Sequence, residues 1–227
     1  MPETQEQSAC PLSPTTEDYL KAIYKLGREE PVSTKALASE LEVAAPSVTE
    51  MVKRLAERGL VHREPYKGAS LTDTGEKIAL EVLRHHRLLE LYLKEVMGHS
   101  WDELHEEAER LEHHISEAFE DKLDELLDYP TRDPHGHPIP TREGDIEDLA
   151  TDRLADLEEG ERAVICHLAD EDPALLEHLE ERGLVPGASL EITEAEAFEG
   201  PLTVRAEERE AQLVGRVVAR SVFVRRA

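Results

Sequence analysis

Two cysteines are all that the 227 residues provide, and Cys10 and Cys166 stand far apart with no CxxC pair. That excludes a zinc ribbon and a disulfide scaffold and suits the reducing, cytoplasmic setting expected for this chain. Aromatic residues are scarce at 4%, and no apolar run approaches the roughly 18 residues needed to cross a bilayer. No membrane association is therefore expected. The opening stretch "MPETQEQSACPLSP" lacks the basic region and apolar core of a signal peptide, and residues 1–13 read as a disordered arm. Bases are few as well: 26 Lys and Arg face 51 Asp and Glu, for a net charge of −25. Such a chain is repelled by nucleic acid as a whole, so a DNA-binding role has to rest on a local basic surface. There is no HExxH, no nucleophile elbow and no phosphate-binding glycine loop, which speaks against an enzyme.

What is present is helix signal in the first two thirds and strand signal in the last. "TTEDYLKAIYKLGRE" carries an apolar stripe of Leu20, Ile23, Tyr24 and Leu26, with Thr15 or Thr16 as cap. "VSTKALASELEV" gives a short helix capped by Ser33. "AAPSVTEMVKRLAERGL" gives another, with Pro46 at an early helical position and Gly59 as its stop. Two short helices joined by a tight turn make a helix-turn-helix pattern, and "VHREPYKGASLT", turning at Lys67-Gly68, suits a two-stranded wing. A long helix capped by Thr72 or Asp73 follows to about Met97. "SWDELHEEAERLEHHISEAFEDKLDELLD" reads as a second long helix, which the proline-rich residues 130–144 end. From about residue 150, "ERAVICHLA", "ASLEITEAEAF", "LTVRAEE" and "SVFVRRA" are strand candidates around one helix, "DPALLEHLEERG". The expected fold is mainly α with a small β domain. Its parts are a winged helix-turn-helix over 14–72, a helical domain over 73–140, a linker over 141–150 and a β domain over 151–227.

Within residues 47–70, Lys53, Arg54, Arg58, Arg63 and Lys67 outnumber Glu50, Glu57 and Glu64, whereas residues 101–128 hold twelve acids and two bases. Charge is therefore polarised toward a DNA-compatible reading head. Burying Val48, Met51, Val52 and Leu55 leaves Ser47, Thr49, Glu50, Lys53 and Arg54 on the outer face, with Pro46 at its start. Its N-terminal residues would meet base edges and its bases the phosphates, while Arg63 and Lys67 of the wing would reach the backbone of double-stranded DNA. A three-helix module that packs against protein is the alternative.

"HEEAERLEHHISEAFE", residues 105–120, gathers six glutamates and three histidines. At about 100° per residue, His105, Glu109, Glu112 and His113 share one face beside the apolar residues Leu104, Ala108, Leu111, Ile115 and Phe119, and Glu106 and His114 point away. His86 and Glu90, at i and i+4, share a face of the preceding helix, and the first helix adds Asp18. The pattern fits either a solvated acidic face or a divalent-cation site that offsets the cost of carboxylates at a core edge.

The stretches "TTEDYLKAIYKL", "VAAPSVTEMVKRLAERGLV", "LTDTGEKIAL", "RHHRLLELYL", "EHHISEAFEDKL" and "PHGHPIP" resemble, in order over about residues 14–140, the DtxR/MntR family of metal-dependent bacterial transcriptional regulators. "LEEGERAVICHL" and "ERGLVPGASLEI" are similar to its SH3-like FeoA-type domain. The resemblance implies a homodimer whose operator binding is licensed by a metal and which represses transport genes. It places a primary site on Asp18, Glu109, Glu112 and His113, and an ancillary site on His86, Glu90 and His105. The iron-responsive branch has Met at the position of Asp18 and Cys at that of Glu109. Shorter manganese regulators have Glu where this chain has Lys21, which argues for two separate sites instead of a bridged two-ion cluster. Asp170, Glu171 and Asp172 are further candidates from the β domain. An oxygen and imidazole donor set without sulfur points to Mn²⁺, with Fe²⁺ as the alternative and Zn²⁺, Co²⁺ or Cd²⁺ as in vitro substitutes. A winged-helix repressor sensing a non-metal ligand is the rival reading.

Overall fold

The computed structural model describes residues 12–27, 30–64, 67–149, 151–169, 172–207 and 209–227. The expected arm lies almost wholly outside them. The chain forms two compact units, one through Leu83 and one from Arg84 onward.

In the first unit, α1 (Pro14–Leu26) starts at Ser13, whose hydroxyl accepts from the Thr16 amide. The cap is thus Ser13 and not Thr15 or Thr16, because Pro14 fits the first helical turn, where its missing N–H costs nothing. α2 (Thr34–Glu40) is capped by Ser33 as expected, and α3 (Ala45–Glu57) carries its proline in the first turn. Gly59 takes a φ of 73° and lets the Leu60 amide return to the Leu55 carbonyl, closing α3. β1 (Val61–Glu64) and β2 (Gly68–Leu71) pair antiparallel as the wing. Val32 adds a bridge to Ala69, so close that a side chain on Gly68 would run into the Val32 carbonyl. Leu20, Ile23, Leu37, Val48, Leu55, Val61 and Ala69 form one core.

The boundary between the units falls inside α4 (Asp73–Glu95), which opens on Thr72: its hydroxyl accepts from the Gly75 amide and donates to the Gly59 carbonyl. In the second unit the expected long acidic helix is two helices, α5 (Trp101–Leu111) and α6 (Glu117–Leu126). Ser116 caps α6 by accepting from the Phe119 amide, and a cap residue has extended backbone that a continuous helix forbids. The apolar stripe therefore ends earlier than the periodicity implied, and Phe119 is exposed.

Beyond it, β3 (Asp152–Arg153), β4 (Arg162–Leu168), β5 (Ser189–Ala195), β6 (Leu202–Ala206), β7 (Gln212–Val214) and β8 (Val222–Arg226) form an antiparallel sheet in the order β3-β8-β4-β5-β6-β7. α7 (Pro173–Glu181) follows β4, and a four-residue α8 (Arg216–Ala219) precedes β8. The sheet's inner residues Ile165, Leu190, Ile192, Val204, Val222 and Val224 share one core with Leu88, Leu89, Leu93, Trp101, Leu104 and Ala108 of α4 and α5. A polar tie reinforces it: Glu180 of α7 accepts from the Trp101 indole at 2.7 Å and from Lys94 at 3.1 Å. No helix among the described residues is long and apolar enough to cross a membrane.

Candidate metal centre and DNA-reading surface

Leu89 and Leu93 of α4 and Leu104 and Ala108 of α5 belong to one buried core, and polar residues bordering it on the two helices face one another. His86 lies at the centre. Its Nδ1 is 2.6 Å from Glu112 Oε2 and 3.8 Å from Glu109 Oε1, and its Nε2 is 3.0 Å from Glu90 Oε1. His105 faces the same pair of acids, with Nδ1 3.2 Å from Glu90 Oε1 and Nε2 3.7 Å from Glu109 Oε1. The His86 and His105 rings meet edge-on, 4.9 Å between centroids. His86, Glu90 and Glu112 are all at most 2% exposed. Three carboxylates therefore surround one buried imidazole. Burying that much negative charge is costly unless a proton or a cation answers it. Burial alone would raise the Glu90 carboxyl, but the neighbouring His86 charge and hydrogen bonds from His105, His135 and His86 prevail and hold it well below the ordinary carboxylate range.

Glu112 and His113 do not reach the cluster as members of one continuous helical face. Glu112 is the C-cap of α5, and His113, its Nε2 3.4 Å from Glu112 Oε1, sits in the turn beyond. His114 is exposed and the Glu106 side chain largely so, as the sequence indicated. The structure thus brings together His86, Glu90, His105, Glu109, Glu112 and His113. Asp18 is half-buried on α1 of the first unit, one turn from the buried Lys21. Donor atoms of His86, His105 and Glu109 lie within 4.8 Å of one another, a span one cation can fill. The donors are carboxylate and imidazole only, which suits Mn²⁺ or Fe²⁺.

Sequence reasoning missed a neighbouring donor set. Asp133, His135 and His137 also place ligand atoms within 4.8 Å of one another. Glu90 is shared: Oε1 faces His86 and His105, and Oε2 lies 3.6 Å from His135 Nδ1. Arg87 holds Asp133 at 3.4 Å, and the Asp133 carboxylate accepts from the His137 amide at 2.8 Å. The signal was the D-x-H-x-H spacing inside "RDPHGHPIP". The loop is held beside Glu90 by α4, where Arg87 reaches Asp133 and the Pro138 carbonyl, and by β4, where the Leu168 amide donates to the His135 carbonyl. Of the β-domain candidates, Asp172 is the cap of α7, accepting from the Ala174 amide. Asp170 and Glu171 lie outside the described residues.

On α3, Val48, Val52 and Leu55 face the core and Met51 is half-buried, while Pro46, Ser47, Thr49, Glu50, Lys53 and Arg54 are exposed, as are Arg63 and Lys67 of the wing. Three of these groups already have protein partners. The Thr49 hydroxyl donates to the Ala45 carbonyl, Lys53 lies 4.0 Å from Glu57, and Lys67 lies 2.8 Å from Glu64, whose hydrogen bond raises the Lys67 pKa. The two ion pairs are exposed and therefore weak.

Residues 11–69 match the family model described as the iron dependent repressor N-terminal DNA binding domain, and residues 72–141 the model of its metal binding and dimerisation domain. Residues 153–226 match the FeoA domain. The diphtheria toxin repressor of Corynebacterium efficiens is 38% identical over 151 residues, 66% of this chain and 64% of that protein. The iron-dependent repressor IdeR of Mycobacterium tuberculosis is 35% identical over 191 residues, 78% of this chain and 83% of that protein. A solved manganese-dependent transcriptional repressor in complex with manganese superposes with a TM-score of 0.85 at 33% identity, over 93% of this chain and 100% of that one. The chain belongs to the DtxR family of metal-dependent transcriptional repressors.

Proposed function

We propose that the chain is a manganese-responsive repressor of metal-ion transport genes, and that it binds double-stranded operator DNA as a homodimer. One observation carries the reading: three carboxylates crowd around the buried His86 with no sulfur donor among them. That donor chemistry favours a hard, weakly bound divalent ion over the softer metals. Glu109 and Asp18 stand where the iron-responsive branch has Cys and Met, which supports the same choice. The names of the curated relatives favour Fe²⁺ as the second reading.

In this reading His86, Glu90 and His105 hold one ion, and Glu109, Glu112 and His113 join Asp18 at another. Asp133, His135 and His137 offer a third donor set. When bound, the metal supplies a positive charge that ties carboxylates from separate segments to one point. Glu90 keeps its charge in the core, His86, His105 and Glu112 present their ring nitrogens and carboxylate to the ion, and Asp18 would couple the reading head to the helices. The equilibrium shifts by the difference in affinity between the coupled and uncoupled states. Dimeric reading heads would then meet half-sites about one turn, ~34 Å, apart.

A gel shift on the chain's own upstream promoter region tests this, with chelator, Mn²⁺, Fe²⁺ and Zn²⁺ in parallel lanes. Chelator is expected to abolish the shift and Mn²⁺ to restore it. Binding that ignores chelator would instead support a repressor sensing a non-metal ligand.

A further inference from the structure

His85 is not among the ligands assigned above, yet it touches the most buried of them. It follows Arg84 on α4, and its side chain is only 12% exposed. Its Nδ1 lies 3.2 Å from the main-chain oxygen of Glu112. A carbonyl only accepts, so Nδ1 carries the proton and donates. The next residue, His86, contacts the Glu112 carboxylate at 2.6 Å. Two consecutive histidines thus grip one glutamate, one by its side chain and one by its backbone.

The place of that grip matters. Glu112 is the C-cap of α5, where helix carbonyls have lost their intrahelical partners. Residues 112–116 between α5 and α6 carry both Glu112 and His113. The other ring nitrogen of His85 lies 3.5 Å from Glu120 Oε2. Glu120, 6% exposed, is held at Oε1 by Arg84 and approached by Arg142 at 3.6 Å. Arg84 also binds Asp124 and donates to the Pro140 carbonyl at 2.8 Å. A buried ionic network thereby borders His85, and His85 in turn bonds to the first residue of the turn between the helices.

We propose that His85 is a positioning residue: it holds the Glu112–His113 turn in its ligating arrangement before any metal arrives. Groups that orient metal ligands commonly set affinity by 10- to 100-fold. The inference deepens the proposed metal-sensing function and rests on it for its consequence, though not for its structural content.

The test uses the full chain and three proteins: wild type, His85→Phe and His85→Asn. Phe keeps a ring of similar volume and has no donor. Asn places an amide nitrogen where Nδ1 stood, so it restores the bond to the Glu112 carbonyl and drops the link to Glu120. Should His85→Phe fail to fold, His85→Leu takes its place. Two quantities are read: hydrogen exchange of the amides of residues 112–116 in metal-free protein, and Mn²⁺ affinity by calorimetry. In His85→Phe, exchange is expected to rise and affinity to fall, each about tenfold, the lower bound of that range. His85→Asn is expected to stay within about threefold of wild type, well inside that bound. Unchanged exchange in the Phe variant, or equal loss in Phe and Asn, would overturn the proposal. If wild type takes up no Mn²⁺, the metal reading fails, and the exchange comparison still decides the role of His85.

Discussion

Glu90 links the two donor groups, with one oxygen toward His86 and His105 and the other toward His135. Replacing it with Gln keeps the volume and removes the charge. Mn²⁺ affinity measured by calorimetry is expected to fall at least tenfold in Glu90→Gln, since both donor groups lose their shared anion. The direction of its pKa gives a pH test as well. A carboxyl held well below its unfolded value stabilises the fold fully above that value, about 4.3. The stabilisation is lost as pH falls through the lower, folded value. Metal-free wild type is therefore expected to lose stability toward Glu90→Gln in denaturant titrations carried below pH 4.3, the gap closing as acid protonates Glu90. Metal affinity responds to pH as well, because histidines ligate only when neutral: it is expected to weaken as pH falls. A flat affinity from pH 8 to 5.5 would deny histidine ligation.

At the scale of elements, the sequence shows most clearly what depends on neighbours in the chain. Ser33, Pro46 and Gly59 mark their helix ends because capping and turn chemistry are local. The break between α5 and α6 escaped because "RLEHHISEAF" keeps helical periodicity through it, and the cap at Ser116 looks like one more polar position. β3, β7 and α8 are too short for periodicity to register. That His86 shares a helix face with Glu90, and His105 with Glu109, was legible from i, i+4 spacing, while their grouping across two helices came from the family resemblance. Asp133, His135 and His137 were not placed, because tertiary contacts of their loop with α4 and β4, and not spacing along the chain, bring them to Glu90. Gly136 is the hinge of that docking. It has a φ of 89°, and a Cβ there would sit 2.2 Å from the Cys166 carbonyl oxygen. Gly136→Ala combines left-handed strain with a backbone clash and is expected to cost about 1–3 kcal/mol. Chemical denaturation checks that figure, and Mn²⁺ uptake at Asp133, His135 and His137 should fall with it.

For the whole molecule, the −25 net charge and the basic outer edge of α3 and the wing pose opposite demands. A chain this acidic gains DNA affinity only from contacts the reading head itself makes, so each phosphate-binding cation should register in the salt dependence. Lys53→Ala and Arg63→Ala are each expected to weaken operator binding across sequences and to reduce the salt slope by about one. Fluorescence anisotropy across a salt series reads both. An unchanged slope in both variants would place the DNA elsewhere on the chain.

Centrally, oxygen and imidazole groups on separate segments are proposed to converge on divalent ions, with His86, Glu90 and His105 at one of them. Anomalous scattering from crystals grown in Mn²⁺, recorded at the manganese edge, tests it most directly. The expected map has a peak at bonding distance from His86, Glu90 and His105. Manganese confined to exposed carboxylates, with His86 still enclosed by Glu90 and Glu112 and no ion beside it, would contradict the account.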